Sequence, residues 1–325
     1  MKILVTGAAG FVPSHLVDLL LSQGHEVWGV DNFITGDRKN IEHLENNENF
    51  HFETFDVSLA IPQFHDSQLS FLKSFEKVVR FDRVYHMASP ASPIDYVQLP
   101  FETMHAGSKA TEVCLERCVN DEARFLLAST SEVYGDPSVH PQVESYWGNV
   151  NPIGPRSVYD EAKRYAEALT MAYQRYKKVD TRIVRIFNTY GPRMRPDDGR
   201  VMPAFINQAI NKQPLTIFGS GQQTRSFCYV SDLVRGINLL MESDVTTPCN
   251  IGNPYEITML RLADYVNKFT HNNAGFVFKK LPQDDPTQRK PDITLAKNKL
   301  NWEPLVSFED GVSKTIEWFR KLSNN

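Results

Sequence analysis

The chain has 325 residues, of which 41% are hydrophobic and 23% are charged, and its formal net charge is −4. These values are ordinary for a globular protein, and with no long basic run they argue against a nucleic-acid partner. No stretch reaches the roughly 20 apolar residues of a membrane span, the start of the chain lacks a leader pattern, and four scattered cysteines form no disulfide framework. We therefore expect a cytoplasmic protein with no membrane partner and no metal site.

Strand patterns alternate with helical patterns from the first residues up to Asn188. Such repetition predicts an α/β fold, a doubly wound parallel sheet of the Rossmann type with helices on both faces. After Asn188, short segments punctuated by Gly and Pro predict a smaller C-terminal lobe that closes over the carboxyl edge of the sheet. We expect the sheet domain at 1–187 with a return segment at about 232–252, and the lobe at 188–231 and 253–325. The expected strands are KILVTG at 2–7, HEVWGVD at 25–31, RVYHMAS at 83–89, ARFLLAST at 123–130 and TRIVRIFN at 181–188, and the expected helices lie at 14–24, 100–119 and 157–176.

A glycine-rich turn links the first strand to the first helix. Gly7 and Gly10 occupy two of the three glycine positions of a dinucleotide-binding fingerprint, directly after a strand and before a helix. Gly7 permits the tight turn, and Gly10 lets the backbone approach a pyrophosphate on the free N–H groups of the helix N-terminus. We assign those donors to Phe11 and Val12. Pro13 stands at the third position, in the first helical turn, where a missing N–H costs no hydrogen bond.

Two acids follow at the ends of the next strands. Asp31 ends the second strand, 21 residues after Gly10, where a carboxylate binds the adenosine ribose and disfavours a 2′-phosphate. Asp56, followed by Val57, ends a third strand, where we expect a contact with the adenine. Together with the glycine turn, these acids predict that the cofactor is NAD rather than NADP.

The string YDEAK places Tyr159 and Lys163 four residues apart on one helix face. A nearby ammonium lowers the pKa of a tyrosine below its reference value of about 10, so that the phenolate takes a proton from a sugar hydroxyl. Hydride then leaves the same carbon for the nicotinamide. We expect Thr130, at the end of the strand ARFLLAST, to hydrogen-bond the same sugar oxygen.

Longer strings point to one protein family. They are TGAAGFV, VDNFITG, HMASPASPIDY, LLASTSEVYGDPSVHPQ, YWGNVNPIGPRSVYDEAKR, RIFNTYGPRM, DGRVMPAFI, PLTIFGSGQQTRSFCYVSDLV and QDDPTQRKPDI. In these strings the chain resembles the extended short-chain dehydrogenases/reductases that act on nucleotide sugars, and among them the UDP-glucuronate decarboxylases, or UDP-xylose synthases. The strings cover nearly the whole chain, and STSEVYGDP, GPRSVYDEAKR and DDPTQRKPDI are specific rather than generic.

The resemblance implies NAD-dependent decarboxylation of UDP-glucuronate to UDP-xylose. Oxidation at C4 turns the C6 carboxylate into a β-keto acid, carbon dioxide leaves, and hydride then returns to C4 from the same cofactor. Beside Thr130 the decarboxylases carry the pair that stands here as Ser131 and Glu132, whereas 4,6-dehydratases carry an Asp-Glu pair and 4-epimerases usually lack a carboxylate. We expect Ser131 and Glu132 to hold the carboxylate and to deliver the proton at C5, either directly or through water. Tyr159 would contact the enolate oxygen, and Arg289 would lie in the sugar site.

Further contacts follow from the same resemblance. The helices at 100–119 and 157–176 are where related enzymes form dimers, so we expect a homodimer that binds a UDP-sugar. Arg193 and Arg195 are either further site residues or ordinary loop charges. The expected cofactor contacts are Gly7, Gly10, Phe11, Val12, Asp31, Asn32, Thr35, Gly36, Asp56, Val57, Ala88, Ser89, Tyr159, Lys163 and Thr189. The expected substrate contacts are Tyr96, Asn188, Arg200, Arg225 and Arg289, with arginine suited to phosphate by its charged fork.

The chain departs from the family pattern at three places. Pro13 replaces a glycine, and the segment at 58–81 is longer than the family's short loop, with room for an extra helix. The family's Lys-Thr-Asn run, whose lysine reaches the substrate and whose asparagine braces the site, has His105 and Gly107 in those places. His105 is either a substitute donor or a core histidine. These departures keep open a different reaction, such as that of a uronate 4-epimerase or a dehydratase, and a non-catalytic protein that binds NAD or a nucleotide sugar.

Overall fold

The computed structural model describes residues 1–60, 79–280 and 288–323 of the chain. Its strands are β1 (Lys2–Thr6), β2 (Glu26–Asp31), β3 (Phe50–Thr54), β4 (Arg83–His86), β5 (Arg124–Thr130), β6 (Thr181–Ile186), β7 (Thr189–Tyr190), β8 (Leu215–Phe218), β9 (Thr224–Ser226), β10 (Cys228–Tyr229), β11 (Cys249–Ile251), β12 (Glu256–Thr258), β13 (Phe276–Lys279) and β14 (Gln288–Arg289). Its α-helices are α1 (Phe11–Ser22), α2 (Pro93–Gln98), α3 (Pro100–His105), α4 (Thr111–Asp121), α5 (Ser157–Ala172), α6 (Val201–Ile210), α7 (Val230–Glu242), α8 (Met259–Thr270), α9 (Thr294–Leu300) and α10 (Phe308–Ser323).

Seven of these strands form the central sheet, in the order β11-β6-β5-β4-β1-β2-β3, and every neighbouring pair in it is parallel. Helices cover both faces, so the doubly wound parallel sheet predicted from the sequence is confirmed. β1 lies between β2 and β4, where the winding of the chain reverses direction. Sheets of this kind bind their ligands beyond the carboxyl ends of the strands at this point.

The first strand shows why the sequence forms a sheet that is covered on both faces. Ile3 and Val5 are fully buried in one apolar cluster that includes side chains of α1 and α7, and Leu4 is buried in the other, with side chains of α4. Successive side chains of a strand point to opposite faces, so a strand covered on both faces reads as a continuous apolar run. Each such side chain contributes about 2 kcal/mol relative to an exposed one.

The smaller lobe follows β6 and stands over the carboxyl edge of the sheet. It contains the sheet β12-β9-β14, the pair β13-β8, and helices α6, α8 and α10. The register of β9 and β14 places Arg225 beside Arg289, which brings two distant arginines to one edge. β11, inside the expected return segment, pairs with β6 at the end of the central sheet.

The structure divides the helical run expected at 100–119. α3 and α4 are joined by a wide turn of the π type, Ala106–Ala110, and α5 ends at Ala172 in a similar turn. The extra helix considered for the inserted segment falls largely on residues 61–78, which lie outside the described residues. None of the helices in the described part of the chain has the length and apolar character that a membrane crossing requires.

Candidate active site

A cavity of about 750 Å³ lies between the carboxyl ends of the sheet strands and the smaller lobe. It is lined by residues from β2, β5, α5, β9 and β14 and by the turns that follow β1 and β4, so distant parts of the chain meet there. Pro13, Arg193 and Arg195 belong to its lining. So does every site residue expected from the sequence: Gly7, Gly10, Phe11, Val12, Asp31, Asn32, Thr35, Gly36, Asp56, Val57, Ala88, Ser89, Tyr96, Thr130, Ser131, Glu132, Tyr159, Lys163, Asn188, Thr189, Arg200, Arg225 and Arg289.

The turn after β1 is packed so closely that two of its positions favour glycine. Gly7 has a φ of 70°, and a Cβ there would lie 2.8 Å from the Cα of Ala88, just after β4. Only glycine combines that backbone conformation with that contact. The N–H of Gly10 donates to the carbonyl of Gly7 at 2.9 Å, and a Cβ on Gly10 would lie 3.0 Å from the same oxygen. The turn therefore leaves its open side to a ligand.

Pro13 fits this turn without loss of a hydrogen bond. α1 begins at Phe11, and the N–H of Ser14 donates to the carbonyl of Gly10 at 3.1 Å. Pro13 is thus the third residue of the helix, where an N–H has no partner within the helix. The donors of Phe11 and Val12 remain in place for a pyrophosphate, as the sequence predicts.

Asp31 ends β2 beside this turn and is fixed by backbone groups. Its Oδ2 accepts from the N–H of Ala9 at 3.0 Å, and its Oδ1 accepts from the N–H of Phe33 at 2.7 Å. Burial raises the pKa of Asp31, and the hydrogen bonds from the backbone oppose part of that rise. A Cβ on Gly36 would lie 2.8 Å from Oδ2, so glycine allows the loop to pass close to the carboxylate.

Asp56, where we expect a contact with the adenine, also lines the cavity. This residue lies two positions beyond β3, and not at its end as expected, because β3 stops at Thr54. Its carboxylate accepts from the N–H of Ser58 at 2.9 Å and from the Nδ2 of Asn32 at 3.1 Å. The open helix N-terminus, the close-packed glycine turn and the carboxylate of Asp31 fit the pyrophosphate and ribose of NAD.

Tyr159 and Lys163 lie buried on the face of α5 that lines the cavity. The ring of Tyr159 stacks on that of Tyr96 with centroids 5.1 Å apart. Burial raises the pKa of Tyr159 to about 12, although a hydrogen bond with Thr130 opposes the rise. The lowered tyrosine pKa expected from the sequence is therefore wrong for this structure. The reason is that burial, which raises the pKa of the phenol, outweighs the neighbours that lower it. Burial also lowers the pKa of Lys163 to about 8, and its ammonium donates to the carbonyl of Ala128 at 2.8 Å.

Glu132 is clamped by two arginines on the short turn that follows β5. Its Oε2 accepts from Nη2 of Arg156 at 2.8 Å and from Nη2 of Arg289 at 3.2 Å, and Arg289 also donates to the carbonyl of Ser131. Burial on its own would raise the pKa of Glu132, but Arg289 and Arg156 outweigh it and lower the pKa to about 2. Glu132 is therefore an anion at neutral pH, which argues against direct delivery of its own proton, while delivery of a proton through water stays a prediction. We name Glu132, Arg156 and Arg289 the Glu132 clamp.

Comparisons with known proteins place this arrangement in a family. A family model described as GDP-mannose 4,6 dehydratase matches residues 4–315. UDP-glucuronic acid decarboxylase 1 of Xenopus tropicalis is 48% identical over 320 residues, which are 98% of this chain and 72% of that protein. UDP-glucuronic acid decarboxylase 1 of Arabidopsis thaliana is 50% identical over 98% of this chain and 70% of that protein. The chain belongs to the UDP-glucuronic acid decarboxylases of the extended short-chain dehydrogenase/reductase family.

Solved structures show how widely the family shares this fold. The UDP-glucose 4-epimerase of Thermotoga maritima, solved with UDP-glucose, is 30% identical and superimposes with a TM-score of 0.89 over 99% of this chain and 100% of that one. The UDP-glucuronic acid 4-epimerase of Bacillus cereus, solved with UDP-glucuronic acid and NAD, is 31% identical with a TM-score of 0.85 over the same shares. The extended short-chain dehydrogenases/reductases therefore keep one architecture while their reactions differ.

In this member of the family, positive charge lines the lobe side of the cavity. Nε of Arg200 lies 2.8 Å from Oδ1 of Asp198, immediately before α6. Nη1 of Arg225 donates to the carbonyl of Thr224 at 2.9 Å. Asn188, just after β6, lines the cavity beside them. Asn188, Arg200 and Arg225 thus line the same cavity as the glycine turn.

Arg193 and Arg195 are ion-paired residues of the rim rather than solvated loop charges. Nη2 of Arg193 lies 2.7 Å from Oδ2 of Asp18 on α1. Arg195 donates to the carbonyl of Thr35 at 3.2 Å and to Oδ1 of Asp95 at 2.9 Å. These bonds join the loop after β6 to the cofactor side of the cavity.

Packing explains why glycine stands at position 107, where the family has the asparagine of its Lys-Thr-Asn run. A Cβ there would lie 2.6 Å from the carbonyl oxygen of Ala162, so glycine allows the wide turn to lie directly against α5. Nε2 of His86 donates to the carbonyl of Ala106 at 3.1 Å and braces the same turn. His105 is not among the described residues that line the cavity, so the structure does not place it as a substitute donor.

Sequence reasoning missed two residues that the decarboxylase string GPRSVYDEAKR contains. Arg156 stands directly before α5, three residues before Tyr159 and therefore on the same face, and this spacing was the signal that could have found it. Asp160 follows Tyr159 and is only 6% exposed. No pattern in the sequence distinguishes such a buried acid from a solvated one.

Proposed function

We propose that the chain converts UDP-glucuronate to UDP-xylose and carbon dioxide, with NAD restored in every turnover. The observation that carries the proposal is the Glu132 clamp, which stands at the end of β5 next to Thr130 and Tyr159. Decarboxylation changes the charge at C5 and C6, whereas inversion of a C4 hydroxyl leaves the charge at these two carbons unchanged. A fixed anion between two cations suits a reaction that changes charge at C5 and C6. The relatives that are 48% and 50% identical and are named UDP-glucuronic acid decarboxylases support the same reaction.

In the oxidation at C4, the phenol of Tyr159 has one role and the residues beside it have another. When bound, NAD accepts hydride from C4, returns it after decarboxylation and adds a positive charge that lowers the pKa of the tyrosine. Tyr159 takes the proton of the C4 hydroxyl, and Thr130 orients the phenol by a hydrogen bond. The ammonium of Lys163, which lies on the same helix α5, favours the loss of the phenol proton. Because Tyr159 is buried, it then holds the C4 oxygen in a site with little competing water.

Loss of carbon dioxide follows from the ketone at C4. The bond between C5 and C6 breaks, its electron pair moves into the ketone to form an enolate, and a proton must then add to C5. Tyr159 hydrogen-bonds the enolate oxygen. Ser131 and Glu132 hold the proton donor at C5 in place, with Glu132 itself fixed by the clamp.

The nucleotide part of the substrate occupies the lobe side of the cavity in this proposal. Arg200 and Arg225 bind the diphosphate, because a guanidinium offers a permanently charged fork to phosphate oxygens. Asn188 and Tyr96 complete the contacts with the sugar nucleotide. NAD lies opposite, on the glycine turn and Asp31.

Mass spectrometry after incubation with UDP-glucuronate and NAD tests the proposal. We expect a sugar nucleotide that is lighter by one carbon dioxide, with no net accumulation of reduced cofactor. A product of unchanged mass identifies a 4-epimerase instead, and loss of water identifies a dehydratase. Binding of NAD without any product identifies a non-catalytic protein and contradicts the proposal.

We also propose a homodimer in a reducing, cytoplasmic compartment. All four cysteines are free and buried, as is typical of proteins from reducing compartments. On the outer side of α3 and α5, Phe101 and Tyr165 are exposed. An exposed apolar patch of this kind is typical of an interaction surface, and a second copy of this chain is the partner that we assign to it.

A further inference from the structure

A second cavity, of about 220 Å³, lies behind the Glu132 clamp. Glu132, Arg156 and Arg289 line both this cavity and the main one, so the clamp is the wall between them. Asp160 lines the second cavity and not the main one. An acid therefore stands one layer behind the residues that face the sugar.

Asp160 is a buried acid with one carboxylate oxygen that accepts no hydrogen bond within the described residues. It is 6% exposed, and the oxygen is its Oδ1. Burial raises its pKa to about 7, the charge of Glu132 adds to the rise, and Arg156 and Arg289 oppose it. At neutral pH this carboxyl is protonated for much of the time. The titratable and charged groups that face it are Glu132 on the turn after β5, Arg156 before α5, Tyr159 and Glu161 on α5, Tyr96 on α2, Arg289 on β14 and Asp136 across the second cavity.

The proposed reaction consumes one proton at C5 in each turnover. Carbon dioxide departs without the electron pair of the C5–C6 bond, so the enolate must gain a proton at C5 before hydride returns to C4. The proton that Tyr159 takes from the C4 hydroxyl goes back to the C4 oxygen and does not serve this step. Glu132, ionised in its clamp, does not supply it either.

We propose that Asp160 supplies the C5 proton through a water molecule held by Glu132 at the wall between the two cavities. The water gives one proton to C5 and takes one from the carboxyl of Asp160, so that the water is restored and Asp160 becomes a carboxylate. Asp160 then regains a proton from solvent through the second cavity, which balances the one proton consumed. The inference rests on the proposed function, and it makes Asp160 a residue that acts through water and does not touch the substrate.

The variant Asp160→Asn keeps the shape of the side chain and removes its acid. We expect formation of UDP-xylose at pH 6 to fall about a hundredfold, with the affinity for UDP-glucuronate and the first-turnover rates of C4 oxidation and carbon dioxide release changed by less than about threefold, because protonation at C5 follows the loss of carbon dioxide. In the unaltered protein the rate of UDP-xylose formation falls as the pH rises through about 7, because Asp160 loses its proton. The variant lacks this falling limb, and Asp160→Glu restores it. The matched control is Glu161→Gln, which alters the next acid of α5, paired with Arg164 at 3.5 Å. It keeps the rate and a falling limb, and it moves that limb slightly to lower pH because the charge of Glu161 adds to the rise of the Asp160 pKa.

Rapid-quench measurement of C4 oxidation, carbon dioxide release and UDP-xylose formation in the first turnover, across the pH range, separates the outcomes. The inference is overturned if Asp160→Asn keeps the falling limb of UDP-xylose formation, or if oxidation, release and UDP-xylose formation decline together, as they would after a purely structural change. Absence of carbon dioxide release by the unaltered protein overturns the proposed function, and this inference with it.

Discussion

Tyr159 lies among neighbours that keep its phenol neutral. Its ring stacks on Tyr96, Thr130 is hydrogen-bonded to its hydroxyl, and burial holds its pKa at about 12. The ammonium of Lys163, four residues along α5, donates a hydrogen bond to the carbonyl of Ala128. The same burial that raises the pKa of the tyrosine lowers that of the lysine, so both groups are poised for a change of charge when ligands enter.

Removal of the phenol oxygen tests this arrangement. In Tyr159→Phe the ring stays stacked on Tyr96 while the proton acceptor for the C4 hydroxyl is lost. We expect C4 oxidation, and with it carbon dioxide release, to fall by at least about a hundredfold. Absorbance of the reduced cofactor and mass spectrometry measure the two. Tyr165→Phe, on the exposed side of the same helix, serves as control, and retained oxidation in Tyr159→Phe contradicts the role.

The charge of Glu132 is tested by Glu132→Gln, which keeps the size of the side chain. We expect C4 oxidation to persist and carbon dioxide release to slow by about tenfold or more. An unchanged overall rate contradicts the assigned role. The substitution also removes the anion that both guanidinium groups of the clamp contact, so the folded protein should lose roughly 3 kcal/mol.

The pH dependence of that loss has a definite sign. Glu132 has a folded pKa of about 2 against an ordinary value of 4.5, so the clamp stabilises the fold fully above pH 4.5 and loses this contribution as the pH falls towards 2. Melting curves should therefore show the largest difference between the unaltered protein and Glu132→Gln above pH 4.5. A difference that grows towards pH 2 would contradict the clamp.

At the scale of single residues, the sequence predicted which residues lie together but not how they shift one another's pKa values. Motif spacing was enough to collect Asp31, Tyr159 and Glu132 around one cavity. The pKa of each depends on burial and on partners from remote strands, as with Arg289 for Glu132, and such partners follow from tertiary packing alone. The burial of Asp160 could not be predicted from the sequence for the same reason.

Among the elements, the wide turn at Ala106–Ala110 determines how closely α5 approaches the sheet. A Cβ on Gly107 would lie 2.6 Å from the carbonyl oxygen of Ala162, about one turn from Tyr159. Introducing the family's asparagine as Gly107→Asn should therefore push α5 outward, at a cost of about 2 kcal/mol. A lower Tm and slower C4 oxidation are expected.

Ser108→Ala in the same turn is the matched control for Gly107→Asn. It removes a hydroxyl that donates to the carbonyl of Met104 at 2.7 Å and leaves the contact with α5 untouched. An unchanged Tm in Gly107→Asn would show that the turn yields without strain, against the packing explanation.

Element types could be predicted from the sequence better than their breaks. The apolar run of β1 and the helical spacing of α1 predict those elements, since local pattern and burial agree. The wide turn between α3 and α4 could not be predicted, because α5 and His86 impose it from elsewhere in the chain. The end of β3 at Thr54, ahead of Asp56, is a boundary of the kind that local pattern fixes poorly.

At the scale of the whole molecule, two lobes enclose one cavity and ion pairs join them across its rim. Arg195 contacts both Thr35 and Asp95, and Arg193 contacts Asp18. The register of β9 and β14 places Arg225 and Arg289 on the same side. The main cavity is therefore a site that neither lobe forms alone.

We predict a homodimer from the exposed apolar side chains on the outer surface of the molecule. Phe101 is 71% exposed, Met104 45% and Tyr165 52%, on helices α3 and α5 that pack against each other. Burying these side chains against a second copy would stabilise the pair by about 2 kcal/mol for each large apolar group. Phe101→Asp places a charge there and should convert the dimer to a monomer in light scattering at micromolar concentration. Tyr255→Asp, at a 78% exposed position on the lobe, should leave the dimer intact. A monomeric unaltered protein, or a dimer that survives Phe101→Asp, contradicts this interface.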